Sequence, residues 1–282
     1  MTEILWLDEP GCDDPTVVGG KAANLARLMA VHPVPPGFCL PSAAHARWAG
    51  AARGAFPEAL TRMVERAYTA LGERRGTPDP AVAVRSSAID EDGASASFAG
   101  IYTSLLNVRG VENVLDAIAR CWASADDPRV AAYRREKGLP PAGIGVLVQA
   151  LVAADASAVV FSRNPMTGAS DEIVINANWG LGESIVGGLA TPDTWVLQKP
   201  ALETLRFTLG AKEHMTVLAP QGTREVPVLR TLRVRASLPD AQVRELGALA
   251  VRLEAIMGWP VDIECVYQAE QLYLLQCRPI TT

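Results

Sequence analysis

The period of apolar positions changes repeatedly along this chain, and the changes predict its elements. ILWL, residues 4–7, predicts a short strand, and beyond Pro10-Gly11 the run GGKAANLARLMAV repeats its apolar residues at helical spacing. HPVPPGFCLP carries too many prolines for a helix. A helical pattern resumes at Ser42, which suits an N-cap, and continues to about Gly72. AVAVR then predicts a strand. LLNVRGVENVLDAIARCWAS reads as strand, turn and amphipathic helix, and residues 126–138 read as a further helix ending at Gly138. Past Pro140-Pro141 the pattern turns to strands: GIGVLVQALV, SAVVFSRNP and DEIVINANWG, and later VLRTLRVRA, VDIECVY and QLYLLQCRP. One helix, from Asp240 to about Met257, interrupts them.

These elements make an α+β chain with a natural boundary near residue 145. A mixed, helix-rich part (1–145) precedes a mostly antiparallel sheet part (146–282). The chain shows neither an internal repeat nor a low-complexity tract.

Composition narrows the functional classes. The 282 residues are 49% hydrophobic and 20% charged, which describes a folded domain rather than a disordered or membrane-embedded chain. A net charge of −5 argues against a surface that coats nucleic acid. The most apolar stretch, GVLVQALVAADASAVVF, is broken by Gln149, Asp155 and Ser157, so no membrane span is expected. MTEILWLDEPGCDD lacks the basic head and apolar run of a secretory signal, which places the protein in the cytoplasm as an expectation. Five widely spaced cysteines without a CxxC pair suggest buried small side chains rather than a disulfide scaffold or a zinc site.

Three stretches carry candidate chemistry. In VGGKAANL two glycines precede Lys21 at a helix start, where backbone N–H groups favour an anion and a lysine adds charge for a phosphate. The same letters also suit a glycine turn followed by a surface lysine. Arg85 ends an apolar strand, from which a guanidinium can address a ligand through two parallel bonds or pair with Asp90, Glu91 or Asp92. The loop GASASFAG after it has the small-residue composition of a phosphate-covering lid, and equally of a plain surface loop. In VDIECVYQAEQLYLLQCRP, alternation puts Asp262 and Glu264 on one face of a strand and Gln276 and Arg278 on one face of the next. A turn near Glu270 gathers acid, amide and arginine on one sheet face, a set that suits magnesium and a polyphosphate or simply cross-strand polar pairs.

VGGKAANL, VPPGF, RSSAIDED with SFAGIYTSLLNV, VLVQALV, VVFSRNPMTG, ANWGLGESIVGGLATPD and DIEC with LYLLQCRP resemble, in this order, the motifs of a known nucleotide-binding domain. It is the domain of phosphoenolpyruvate synthase and pyruvate phosphate dikinase, also found in rifampicin phosphotransferase. The resemblance implies an ATP-grasp fold, two α+β subdomains clamping ATP. Under it, Lys21 and Arg85 match residues on the ATP phosphates, and Ser97, Phe98, Ala99 and Gly100 belong to the lid over them. Gln149 falls near the adenine-side hinge, Glu264 and Gln276 match the magnesium-associated pair, and Arg278 matches a transition-state arginine. Asp262 remains a weaker metal candidate. Glu183 and Asp193 lie in family motifs without an assigned role.

The resemblance further implies transfer of the β-phosphoryl group of ATP to a histidine on a separate swivelling domain, with AMP released. Phosphoryl transfer asks mainly for positioning and charge neutralisation. None of His32, His45 and His214 stands in the Gly-Gly-x-x-Ser-His setting of that domain. The expectation is therefore an excised domain or a subunit that acts on a partner's histidine. A kinase or ligase acting directly on a small molecule, and a non-catalytic nucleotide-binding module, are the alternatives.

Overall fold

In a computed structural model of the chain, the structure describes residues 4–48, 56–89, 103–128, 130, 132 and 143–280. The chain divides into two units: residues 1–151 with 220–222, and residues 152–219 with 223–282.

The first unit is built on a five-stranded antiparallel sheet in the order β1-β2-β5-β3-β4. Its strands are β1 (Leu5–Trp6), β2 (Gly37–Leu40), β3 (Val82–Ala88), β4 (Ser104–Val108) and β5 (Ile144–Ala150). Alternation in β3 and β5 sorts side chains between two faces. Val82, Val84, Val146 and Val148 pack with Phe38 and Leu40 in a core against α3 (Ser42–Trp48), α4 (Glu58–Arg75) and α5 (Val111–Ala123). Leu60, Val64 and Leu71 of α4 and Ile118 and Trp122 of α5 supply the helical side of that core. Each side chain of this size contributes about 1.5–3 kcal/mol when fully buried. The other sheet face receives α1 (Pro15–Val18) and α2 (Gly20–Leu28). Asp14 caps α1 through its carboxylate, which accepts from Thr16 N at 2.8 Å, and Pro15 takes the first helical position.

The second unit holds a six-stranded antiparallel sheet in the order β13-β12-β6-β7-β8-β9. In chain order these are β6 (Ala156–Phe161), β7 (Glu172–Trp179), β8 (Asp193–Gln198), β9 (Glu203–Thr208), β12 (Val261–Gln268) and β13 (Gln271–Pro279). A separate hairpin pairs β10 (His214–Leu218) with β11 (Thr223–Pro227). Two short helices, α6 (Glu183–Val186) and α7 (Arg230–Arg233), precede the long α8 (Asp240–Met257). Helix α8 covers one sheet face with Val243, Leu246, Ala250 and Leu253, and ends at Gly258 in the left-handed conformation. Among the described residues, no helix is long and apolar enough to cross a membrane.

Four sequence expectations need correction. The boundary falls after Leu151 rather than near residue 145, because β5 is an inner strand of the first sheet, hydrogen-bonded to β2 and β3 on its two sides. The helical pattern from Ser42 to Gly72 belongs to two helices, with Phe56-Pro57 outside both, and Pro57 extended at ψ 139°. VLRTLRVRA is not a strand: β11 ends at Pro227 and α7 follows, with Leu229 and Val234 exposed, so its alternation has no sheet face to fill. The first strand is confined to Leu5–Trp6.

Candidate functional site

The candidate residues fall on one prepared surface in each unit. In the first unit, β3 presents Ala83, Arg85 and Ser87 on the face opposite the hydrophobic core, and β5 presents Gln149 and Leu147 beside them. Ala83 pairs with Gln149 and Arg85 with Leu147, so Arg85 and Gln149 are diagonal neighbours on that face. Gln149 is 1% exposed and donates through Nε2 to Pro35 O at 3.1 Å, which fixes its amide. Arg85 is buried.

Lys21 lies in the first turn of α2, which the chain enters through Gly19 at φ 83°. A side chain at Gly19 is excluded, since its Cβ would stand 1.9 Å from Ser87 O. Ala22 N donates to Ser87 Oγ at 3.1 Å, and Lys21 Nζ donates to Ser86 O at 3.2 Å. The lysine is therefore no surface residue: it is 5% exposed and held against the end of the strand that carries Arg85. The proposed lid residues Ser97, Phe98, Ala99 and Gly100 lie outside the described residues, as do Asp90, Glu91 and Asp92.

In the second unit the predicted hairpin forms, with its tip at Ala269-Glu270. Asp262 stands opposite Arg278, and Glu264 opposite Gln276. Directly paired residues share a face, so these four side chains stand together. Ile263 pairs with Cys277 and Val160 and belongs to the opposite face; Leu197, which touches Gly247 of α8, identifies that opposite face as the covered one. Asp262, Glu264, Gln276 and Arg278 thus occupy the face that α8 leaves open, alongside Val159 and Phe161 of β6 and Asn176 of β7.

The electrostatics of that face are specific. Arg278 Nε donates to Asp262 Oδ2 at 2.8 Å, and its Nη2 reaches the same oxygen at 2.8 Å. Asp262 Oδ1 is buried without a hydrogen-bond partner. Burial raises the Asp262 carboxyl above its ordinary value, against the lowering effect of Arg278. Among the described residues, no three or more His, Cys, Asp or Glu side chains gather into a metal cage. The oxygens available on this face come from two carboxylates and one amide, the kind of set that holds magnesium when phosphate oxygens complete the shell.

Asp193 and Glu183, left without roles by the sequence, separate in the structure. Asp193 is fully buried: its Oδ1 accepts from Gly210 N at 2.8 Å and from Lys212 Nζ, and its Oδ2 accepts from Ser237 N at 2.7 Å and Ser237 Oγ at 2.8 Å. Every contact is internal, so this carboxylate ties β8 to two loops. Lys212, also 0% exposed, is its counter-charge, and the scarcity of lysines is the one signal the sequence offers for it. Glu183 begins α6 and keeps one carboxylate oxygen buried and unpaired.

Comparison with known proteins completes this picture. The model of the pyruvate phosphate dikinase AMP/ATP-binding domain matches residues 49–282. A probable phosphoenolpyruvate synthase of Methanocaldococcus jannaschii is 34% identical over an alignment covering 100% of this chain and 27% of that protein. An uncharacterized phosphotransferase of Bacillus subtilis, YvkC, is 37% identical over 94% of this chain and 34% of its own length. The prodigiosin synthesizing transferase PigC of Serratia marcescens is 35% identical over 95% of this chain and 32% of its own. The chain thus spans about a third or less of each of these relatives.

Proposed function

This chain belongs to the pyruvate phosphate dikinase AMP/ATP-binding domain family, and we propose that it binds ATP with magnesium and energises a histidine on a separate swivelling domain. That domain sits in the same polypeptide or on a partner. In this reading the fold is an ATP-grasp, the chain acts in the cytoplasm, and its contribution is electrostatic. Lys21 and Arg85 bind phosphate oxygens, Gln149 lies at the adenine side, and the stretch Ser97, Phe98, Ala99 and Gly100 covers the phosphates.

The histidine nitrogen attacks the β-phosphorus while the bond from that phosphorus to the α-phosphate's bridging oxygen breaks. AMP leaves with the oxygen, and the γ-phosphate is later lost to water or another acceptor. Arg278 faces the charge that develops on the transferring group, which needs neutralisation more than acid–base help. Glu264 and Gln276 would hold the magnesium, with Asp262 beside them. When bound, the ion would supply positive charge to offset that of the phosphates.

The observation that carries this reading is the register of β12 and β13, which sets Glu264 against Gln276 and Asp262 against Arg278 on one open sheet face. The test is incubation of the chain with Mg-ATP labelled at the β-phosphate, with and without an isolated histidine domain from a family member. AMP and label on the histidine domain support the proposal. ADP formed with a small-molecule acceptor supports a direct kinase instead, and tight binding without turnover under every condition supports a binding module.

A further inference from the structure

The segment VLRTLRVRA, whose alternation serves no sheet, forms a surface that the proposed chemistry does not use. Leu229 and Val234 are 67% and 72% exposed, and Leu209, just past β9, is 45% exposed. Aliphatic side chains exposed singly are ordinary. Here Val234 lines a hollow of about 370 Å³ together with Gly210, Ala211, Arg230 and Arg233, and Leu209 and Leu229 adjoin that lining in sequence. Apolar and cationic groups therefore meet in one place, as they do at interaction surfaces.

The hollow is held in shape from within. Its Gly210-Ala211 backbone is tied to the buried Asp193–Lys212 pair: Gly210 N donates to Asp193 Oδ1 at 2.8 Å, and Lys212 Nζ donates to Gly210 O at 3.1 Å. Arg233 Nε donates to Ala211 O at 2.9 Å, and its Nη2 stands 3.9 Å from Glu213 Oε1, a solvent-exposed pair that offsets little of its charge. Arg230 is exposed, and its guanidinium enters no hydrogen bond or ion pair among the described residues. The two arginines stand three residues apart on α7, about 5–6 Å at Cβ.

Charge and shape select the partner. Residues 228–235 hold three arginines and no acid on a chain whose net charge is −5, so the positive potential is local. Carboxylates three or four residues apart on a helix share the spacing of Arg230 and Arg233, and each guanidinium can take a carboxylate through two parallel bonds. An aliphatic side chain between those carboxylates fills the hollow against Val234. An anionic bilayer fits less well: polybasic lipid sites gather about four to eight cations, and a recess takes a side chain rather than a plane of headgroups. A nucleic-acid reader is basic overall, which this chain is not.

We propose that the hollow formed by Gly210-Ala211 and α7 docks an acidic amphipathic helix of a partner protein. The probe is a fluorescein-labelled helical peptide with glutamates three and four residues apart around leucines, titrated with the full chain and followed by anisotropy. The wild-type chain binds it, and about 10-fold more weakly at high salt than at low salt. Arg230→Glu and Val234→Asp each weaken binding by about 10-fold or more, while thermal unfolding stays at the wild-type temperature because both side chains are exposed. Peptides with lysine in place of glutamate, or serine in place of leucine, bind at least about 10-fold more weakly than the probe. No binding by the wild type, equal binding of the lysine peptide, or undiminished binding by Arg230→Glu overturns the assignment. A preference for vesicles containing about one-fifth phosphatidylserine over the peptide also overturns it, in favour of a membrane surface. Should either variant fail to fold, the three peptides and the salt dependence of the wild type still decide. Neither variant alters a residue of the proposed nucleotide machinery, so the outcome is independent of ATP binding.

Discussion

Asp262 and Arg278 stand directly opposite each other on β12 and β13, and a single carboxylate oxygen, Asp262 Oδ2, takes both guanidinium contacts at 2.8 Å. The pair is lopsided: Asp262 is 7% exposed at the side chain and Arg278 26%. The aspartate therefore carries most of the desolvation, and its second oxygen has nothing to bond.

Unequal costs of removal follow. Arg278→Ala leaves the buried carboxylate without its cation and destabilises the chain by about 1–3 kcal/mol. Asp262→Asn costs less, because it removes a charge that burial already disfavours. The pH dependence has a definite sign. A carboxyl raised above its ordinary 3.8 contributes fully to stability below that pH, and the contribution is lost as pH rises through the raised value. Urea denaturation of wild type and Asp262→Asn across the acidic range checks this, and equal pH profiles for the two contradict it. In turnover assays with a histidine domain, Arg278→Ala is expected to keep ATP binding and lose about 10²–10³-fold in rate.

Gly19→Ala is expected to destabilise by about 2–5 kcal/mol, combining a left-handed backbone with a collision against the Ser87 carbonyl. The entry to α2 has no room for the methyl group, and Lys21 shifts with it. Paired denaturation and ATP-binding measurements are the check. A variant as stable as wild type refutes the claim.

Asp193→Ala removes the acceptor of four hydrogen bonds and strands the charge of Lys212 in a dry interior. The expected loss is about 3–5 kcal/mol. Adding Lys212→Met to that variant should recover part of the loss, since the orphaned cation disappears. A double variant less stable than Asp193→Ala alone contradicts the coupling of these two charges.

The five cysteines are all buried, with no disulfide among them. Burial pushes the Cys12 thiol up to about 12, so at pH 8 it stays protonated and unreactive. Ellman titration is expected to find essentially no fast-reacting thiol in the native chain and five after denaturation. Rapid native labelling of Cys12 contradicts the burial.

Much of the second unit's site is legible in the sequence because period-2 alternation survives in VDIECVY and QLYLLQCRP, and the short turn fixes which residues face each other. The helix from Asp240 to Met257 is legible from its spacing and from Gly258 just past its end. Other features are hidden for physical reasons. Asp193 and Lys212 meet only because two loops fold together, and no local pattern records that. Strand β9 is exposed along its whole length, so burial imposes no alternation on it. Lys21 can pass for a surface lysine because a sequence does not say which strand end a helix start will lean on.

The register irregularity between Glu264 and Cys265 makes Leu275 an extra residue on β13, between Leu274 opposite Cys265 and Gln276 opposite Glu264. It splits the hairpin into a base and a tip held in different phase. Were Leu275 kept and the irregularity ironed out, the two portions would compete for a common alignment. If the tip prevailed, Gln276 and Arg278 would rotate to the side packed under α8. One residue of apparent surplus thus acts as a spacer that keeps the amide and the guanidinium turned toward the acids they serve.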